Sequence, residues 1–185
     1  MKFLFSIVAF LIFITGHRSL VESSSCYCNC NHYGSSSIPR AQHCTSPTRL
    51  VKQCVFKNLN DDKDAGALTQ VTCAFNKQKT DTSLRVTFNG NMRVVGCSSG
   101  CCRRWFITIN GRECQDPATI DTQIFADGSV NRHSPSTLDG FCNNIPVGTV
   151  KVGLSIAACS GFTGGNAYTG WNSVSRIVIE ELSII

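Results

Sequence analysis

Residues 101–114 read CCRRWFITINGREC, and this stretch decides the fold. Trp105, Ile107 and Ile109 take every second position in it. Period-two spacing of aromatic and β-branched residues is typical of a strand with one buried face. Asn110-Gly111 follows, and this pair favours a tight hairpin because both central residues need positive φ. The stretch therefore predicts a strand that ends in a hairpin, with cysteines on both sides.

The same alternation recurs on both sides of this strand. It covers residues 69–76, 84–88 and 150–157. Asn89-Gly90 predicts a turn between residues 84–88 and 92–95, and Asp127-Gly128 predicts another after residue 125.

Between Val174 and Leu182, apolar residues fall at both odd and even positions, so both faces of a strand there would carry them. This predicts a strand covered on both faces. Such a strand lies centrally in a sheet or at a subunit interface. No segment shows a helical apolar stripe. Many short strands with frequent turns predict an all-β, disulfide-rich jelly roll or β-sandwich.

A secretory leader begins the sequence. One positive charge precedes the apolar run Phe3 to Ile14, and small or polar residues follow. This order is that of a signal peptide, and the run is shorter than the about 20 residues that a membrane-spanning helix needs. We expect cleavage, a secreted extracellular protein and no membrane insertion afterwards. An uncleaved signal anchor is the alternative. The predicted organisation is a signal peptide at 1–22, a cysteine- and serine-rich arm at 23–50, and a β-sandwich domain at 51–185.

Twelve cysteines follow the leader, an even number that allows complete pairing. Extracellular cysteines are usually structural. Neighbours Cys101 and Cys102 would pair only through a strained ring, so we expect each to reach another partner. Sequence alone does not choose among the remaining pairings. We predict disulfides among eight body cysteines and four in the arm, which are Cys54, Cys73, Cys97, Cys101, Cys102, Cys114, Cys142 and Cys159, with Cys26, Cys28, Cys30 and Cys44.

Metal binding and thiol chemistry are the alternatives to disulfides for these cysteines. Cys26, Cys28, Cys30 and His32, with His43-Cys44 nearby, carry suitable zinc or copper ligands. Their spacing is not that of a standard zinc pair, and the compartment oxidises thiols, so we expect no metal and no cofactor. A cysteine nucleophile beside His32, His43 or His133 would need a free thiol. No serine-hydrolase elbow occurs either, so we do not expect an enzyme.

Acidic residues form two candidate sites. Asp61, Asp62 and Asp64 could bind calcium, but the loop lacks EF-hand spacing, and a solvated loop is the preferred interpretation. Glu180-Glu181 is interpreted as a surface pair at a strand end and not as a catalytic dyad. The formal charge of +5 falls to about +3 without the leader, and no basic run of nucleic-acid type occurs.

Basic and aromatic residues form two further candidates. Arg103-Arg104 beside Trp105-Phe106 could be a recognition patch, because Arg and Trp are enriched at binding hot spots. The alternative, preferred for Trp105, places the indole in the core and both arginines in water. Trp171 either anchors the glycine-rich loop before it or lies exposed at a partner site, and packing is the preferred interpretation.

Several motifs resemble the collagen triple helix repeat-containing protein family. The end TGWNSVSRIVIEEL, residues 169–182, is similar to the family's carboxyl terminus. Residues 83–86, 101–106 and 110–114 resemble its central block, and 52–54 and 58–60 resemble its entry. The eight body cysteines follow the family's order. The resemblance covers about Lys52 to Leu182.

The resemblance implies a secreted matrix or signalling protein whose globular head is similar to the C1q and tumour-necrosis-factor type. It implies a head that tends to trimerise, and a role in Wnt–Frizzled–co-receptor complexes during planar cell polarity and in collagen deposition. We therefore expect a homotrimer that modulates Wnt–Frizzled signalling through protein contacts, with matrix components as other partners. No nucleic acid is expected as a partner. A C1q-like module that recognises glycans or microbial surfaces is the alternative, and a secreted thiol- or metal-dependent hydrolase is the enzymatic rival.

The chain departs from this family in two ways. It has no Gly-X-Y run, and a collagen triple helix needs glycine at every third position. A trimer would therefore have to form through the head, and the arm cysteines could add bonds between chains. No N-x-Ser/Thr acceptor is present, so N-glycosylation is not expected.

Overall fold

A computed structural model describes residues 49–162 and 165–183. The predicted signal peptide and the cysteines of the arm lie outside these residues. Ten strands cover the described part: β1 Leu50–Lys57, β2 Gly66–Lys77, β3 Ser83–Val95, β4 Cys97–Ile109, β5 Arg112–Glu113, β6 Asp121–Gly128, β7 Ser134–Cys142, β8 Gly148–Ala158, β9 Asn166–Thr169 and β10 Val174–Leu182. No helix occurs among the described residues, so none there could cross a membrane.

The strands form two antiparallel sheets that pack as a sandwich. Sheet I has the order β1-β10-β3-β7, with β9 pairing with the end of β3. Sheet II has the order β2-β8-β4, with β5 and β6 both pairing with β4. Without the short β5 and β9, the eight long strands follow the orders 1-8-3-6 and 2-7-4-5. Each sheet thus mixes early and late strands, which is the jelly-roll arrangement. The predicted fold class is confirmed.

The core consists of alternate residues from both sheets. Phe88 and Ile177 of sheet I and Trp105 and Leu154 of sheet II are at most 1% exposed. Trp105 also donates a hydrogen bond from its indole N–H to the hydroxyl of Thr169, over 2.9 Å. A buried indole needs such a partner, because an unpaired polar group in the core costs free energy. The prediction that Trp105 packs in the core is confirmed.

Asn110-Gly111 forms the predicted turn between β4 and β5. Both residues have positive φ, 52° and 79°. The turn predicted at Asn89-Gly90 is wrong, because β3 runs through it without interruption. Gly90 is required there for close packing instead: a Cβ on it would lie 2.5 Å from the hydroxyl oxygen of Ser175.

Two other strand predictions concern β6 and β10. Asp127-Gly128 belongs to the end of β6, with Gly128 at a φ of 82°. β10 covers Val174–Leu182 as predicted and lies between β1 and β3. Its inner face is buried. Its outer face is partly open within one chain, with Val174 38% exposed. The central position of β10 agrees with the first alternative, and the subunit interface stays a prediction.

All eight body cysteines are paired. Two bridges join sheet I to sheet II at opposite edges of the sandwich, and two lie within sheet II. Cys54–Cys73 and Cys114–Cys142 join the sheets. Cys102–Cys159 and Cys97–Cys101 lie within sheet II. Neighbours Cys101 and Cys102 therefore reach different partners. The bridges between sheets hold both edges of the sandwich together covalently.

Candidate recognition site

The basic–aromatic segment of β4 divides between the core and the surface. Arg103 and Trp105 point inward, whereas Arg104 and Phe106 point outward. Arg103 is only 9% exposed. Its guanidinium donates to the carbonyl oxygens of Gly165, at 2.7 and 3.2 Å, and of Asp64, at 2.9 Å. The expectation that both arginines lie in water is wrong, because strand alternation places Arg103 on the same face as Trp105.

Arg104 is held on the outer face of sheet II by two carboxylates. It donates to Glu113 at 2.5 and 3.2 Å and also pairs with Asp121. Its guanidinium lies over the ring of Phe106, 4.7 Å from the centroid. The hydrogen bonds with Glu113 raise the pKa of Arg104 well above its ordinary value. The charge of this arginine is therefore already compensated within the domain, which makes it a weak anchor for an acidic partner.

The acidic loop before β2 contributes to structure. Asp64 accepts a hydrogen bond from the backbone N–H of Ala167 at 2.6 Å and lies 3.8 Å from Arg103. Asp61 accepts from the N–H of Lys63 at 2.9 Å. Asp62 is exposed. No group of three metal-ligating side chains occurs among the described residues. The side chain of Asp64 is 46% exposed, as in a solvated loop, and it also fastens this loop to β9.

Glu180 and Glu181 have opposite environments. Glu180 points outward and pairs with Arg49 and Arg85. Glu181 is only 4% exposed and accepts from Thr82 and from two backbone N–H groups. The interpretation of both as surface residues is wrong for Glu181, because adjacent residues of a strand face opposite sides of the sheet.

A cleft with an aromatic wall lies at the end of sheet I, near β9. Trp171 is 47% exposed. Its indole is stacked on the imidazole of His133, with the ring centroids 4.7 Å apart and the planes 27° from parallel. The ring of Tyr168 contacts the imidazole of His133 edge to face, with the ring centroids 5.6 Å apart. Trp171 is therefore fixed by stacking but remains open to solvent, and the preference for simple packing is wrong.

Arg93 organises the polar part of the cleft. The register of β3 and β9 places Arg93 opposite Tyr168, and the guanidinium lies 5.2 Å from the centre of the phenol ring. Arg93 donates to the side-chain oxygen of Asn131 at 3.1 Å and to that of Asn166. We call the site the Trp171 cleft. It is about 320 Å³ in volume and is lined by Asp62, Arg93, Asn131, His133, Asn166, Tyr168 and Trp171.

Local sequence explains how β9 and its turn build this wall. Along β9, Ala167 and Thr169 are fully buried, so Asn166 and Tyr168 face outward. Gly170 follows with a φ of 73°, and a Cβ there would lie 2.8 Å from Leu59. Only glycine suits this position. The tight turn then presents Trp171 beside the cleft.

His133 is less readily protonated here than a free imidazole. Burial lowers the pKa of its imidazole, and the nearby positive charge of Arg93 lowers it further. Its Nδ1 is buried without a hydrogen-bond partner. All eight cysteines of the described part are in disulfides, so none there can serve as the nucleophile considered for His133. His133 acts here as a platform for Trp171.

The sequence indicated Trp171 as a candidate but missed most of its neighbours. Arg93, Asn131 and Asn166 carried no signal of their own. The alternation along β9 could have placed Asn166 and Tyr168 on one face. Only the tertiary structure shows that β9 pairs with β3 and where His133 lies.

Sheet I carries a second open surface on its outer side. We call it the valine face, defined by Val51 and Val55 of β1 and Val174 and Val178 of β10. The first three are 55%, 47% and 38% exposed. The residues opposite them in register include Glu180 and Arg176, so the face carries both charge signs. A mixed surface of this kind can pack against another surface that also carries both charge signs.

Comparison with known proteins gives one family match. The family model described as CTHRC1, C-terminal domain, matches residues 46–179. This range includes the core of both sheets, the Trp171 cleft and all four disulfides.

The chain also has limited similarity to a number of solved structures. For the dimeric latent PorU from Porphyromonas gingivalis, identity is 10%, coverage is 71% of this chain and 13% of that one, and the TM-score is 0.39. The EclA C-terminal domain, a sugar-binding protein, has 7% identity and a TM-score of 0.34, and the match covers 80% of this chain and 92% of that one. The T13 IBDV viral particle has 12% identity and a TM-score of 0.36, and the match covers 74% of this chain and 36% of that one. We draw no functional conclusion from likeness at these TM-scores.

Proposed function

Because the chain belongs to the CTHRC1 family through its C-terminal domain, we propose that it is a secreted, non-enzymatic binding protein. It assembles as a homotrimer and modulates Wnt–Frizzled signalling of the planar-cell-polarity type, with matrix components as further partners. The observation that carries this proposal is the family match across the whole sandwich. The paired cysteines support an oxidising, extracellular location.

The valine face supports self-association. Contiguous exposed apolar residues on a small domain usually mark an interaction surface. Val51 and Val55 lie on an edge strand, beside the outer residues of β10. Ion pairs from Arg85 to Asp139, at 2.8 Å, and to Glu180, at 3.6 Å, add fixed charges of both signs next to the valines. In a ring of three copies, two different patches would meet at each interface. The valines would supply the apolar part of one patch.

Assembly of the trimer would then use such a surface, the cysteines of the arm, or both. A stable interface needs about 1,200 Å² or more of total buried area. Three linked heads would bind a receptor complex more tightly than one head does, because of avidity.

Native mass spectrometry of the secreted, purified protein tests the assembly. We expect a trimer for the wild type and a monomer for the double variant Val51→Asp, Val55→Asp. Val147→Asp is the matched control, because Val147 is 49% exposed but lies outside the valine face. It should remain trimeric. Equal melting temperatures would show that all three proteins are folded.

Pull-down with Frizzled ectodomains, a co-receptor ectodomain and a Wnt protein tests the signalling part. We expect binding by the trimer and at least about tenfold weaker capture by the monomeric variant, because avidity is lost. A wild-type protein that is monomeric and binds none of these proteins would contradict the proposal.

A further inference from the structure

The Trp171 cleft offers an aromatic surface that the fold itself does not need. An indole with 47% exposure leaves apolar area in contact with water, which is unfavourable. Stacking on His133 holds the ring in one orientation before any ligand arrives. Such preorganisation lowers the entropy cost of binding. A flat, rigid, apolar surface of this kind suits a ligand that presents a flat apolar face of its own.

Polar groups surround this surface at short range. The side-chain oxygens of Asn131 and Asn166 accept hydrogen bonds from Arg93, which orients both carboxamides. Their N–H groups therefore remain as donors for another acceptor. The exposed carboxylate of Asp62 supplies acceptors at the same cleft. A ligand with hydroxyl groups could use both kinds of partner, because a hydroxyl donates and accepts.

Charge favours a neutral ligand over an anion. Arg93 is 7% exposed. Its two terminal nitrogens donate to carboxamides, its guanidinium lies over the ring of Tyr168, and its Nε is buried without a hydrogen-bond partner. It is therefore not presented to a carboxylate or sulfate. Asp62 would repel an anion at the rim of the cleft. Five of the seven lining residues are polar, which also disfavours a purely apolar side chain from a protein partner.

From these observations we propose that the Trp171 cleft binds one ring of a neutral saccharide. An apolar C–H face of the sugar stacks on Trp171, and its hydroxyls pair with Asn131, Asn166 and Asp62. The cleft volume of about 320 Å³ lies at the lower end of the range for small-molecule sites, about 300–1,000 Å³, so the site holds a short saccharide end. This proposal does not depend on the trimer or on the receptor contacts proposed above.

Tryptophan fluorescence provides a direct test, because the chain has only two tryptophans. Trp105 is fully buried, and Trp171 is the exposed one. The probes are the methyl glycosides of galactose, glucose, mannose and N-acetylglucosamine. Glucuronic acid is the acidic sugar for comparison. We expect at least one neutral glycoside to change the emission with a Kd in about the millimolar range, as befits a ligand of this size. The acidic sugar should bind more weakly.

Variants assign the signal to the cleft. Trp171→Ala should abolish it, and Trp171→Phe should retain binding to an immobilised neutral glycan, because a flat ring remains. Asn166→Leu should weaken retention on that glycan at least about fivefold, since hydrogen bonds are lost. Phe125→Ala is the control, because Phe125 is 58% exposed on the outer face of sheet II. It should bind like the wild type.

Three outcomes would overturn the proposal. The first is no emission change and no glycan retention with any neutral sugar. The second is a change that persists in Trp171→Ala. The third is a loss of protein-partner binding in Trp171→Ala without any sugar binding in the wild type, which would make the cleft a protein interface.

Discussion

The carboxylate of Glu181 accepts a 2.6 Å hydrogen bond from the hydroxyl of Thr82, which is 99 residues away in the chain. It also accepts from the backbone N–H groups of Gln78 and Lys79 at 2.9 and 2.8 Å. One buried side chain at the end of β10 thus fixes the turn between β2 and β3. This carboxylate joins the two sheets without a covalent bond.

We predict that Glu181→Ala destabilises the domain by about 2–4 kcal/mol, because it leaves several buried donors without an acceptor. Glu180→Ala is the matched control. Its partners Arg49 and Arg85 are more exposed, so its loss should be about 1 kcal/mol or less. Chemical denaturation of the two variants measures the difference. Equal losses would show that the hydrogen bonds of Glu181 contribute little.

Acid should weaken the domain through the same residue. Burial acts to raise the pKa of Glu181, but the hydrogen bonds from Thr82, Gln78 and Lys79 and the charge of Lys77 outweigh it. The folded pKa therefore lies below the ordinary 4.5. Glu181 thus stabilises the fold fully above pH 4.5, and this contribution is lost as the pH falls through the folded pKa.

Glu181→Gln should remove this part of the pH dependence. Unfolding free energies measured from pH 7 down to pH 3 provide the test. Asp139 still titrates in the variant, because the hydrogen bond from Arg85 lowers the pKa of Asp139. We therefore expect a smaller slope and not a flat profile. An unchanged slope would contradict the assignment to Glu181.

The four disulfides should differ in their contributions. Cys54–Cys73 closes a separation of 19 residues, and Cys97–Cys101 one of 4 residues. Chain entropy predicts a loss of about 3 kcal/mol when the first pair is replaced by alanines and about 2 kcal/mol for the second. Denaturation of the two double variants, with the remaining pairings checked by mass spectrometry, measures this order. The reverse order would contradict the entropic argument.

Gly90→Ala tests the continuity of β3. Its new Cβ would lie 2.5 Å from the hydroxyl oxygen of Ser175, so we expect a loss of about 1–3 kcal/mol. Ser175→Ala removes that oxygen, which has no hydrogen-bond partner, and should be close to neutral alone. The double variant should recover part of the loss in a double-mutant cycle. Strict additivity would show that the two residues are not in contact.

Much of the fold could be predicted from local pattern. The alternation of Trp105, Ile107 and Ile109 predicted β4, and Asn110-Gly111 predicted its turn. The same type of signal at Asn89-Gly90 was misleading. An Asn-Gly pair permits a turn, but it does not require one when the neighbouring strands pair along its whole length. At Gly90, the absence of a side chain serves the contact with Ser175.

The candidate site was less predictable, because its residues come from distant parts of the chain. Trp171 was indicated by residue type alone. Its platform, His133, lies 38 positions earlier, and Arg93 a further 40 positions before that. Neither residue belongs to a motif. Stacking between Trp171 and His133 depends on the pairing of β3 with both β7 and β9, which no local pattern encodes.

The amino-acid sequence by itself determined several of the strands, the hairpin after β4 and the sulfur chemistry, because these depend on side-chain alternation, backbone preference and cysteine content within short stretches. The tertiary structure alone decided which cysteines pair, that Arg103 and Glu181 are buried, and that Trp171 stands open beside His133. The physical reason is that burial and pairing depend on which strands become neighbours. In a jelly roll, most neighbours are strands far apart in the chain.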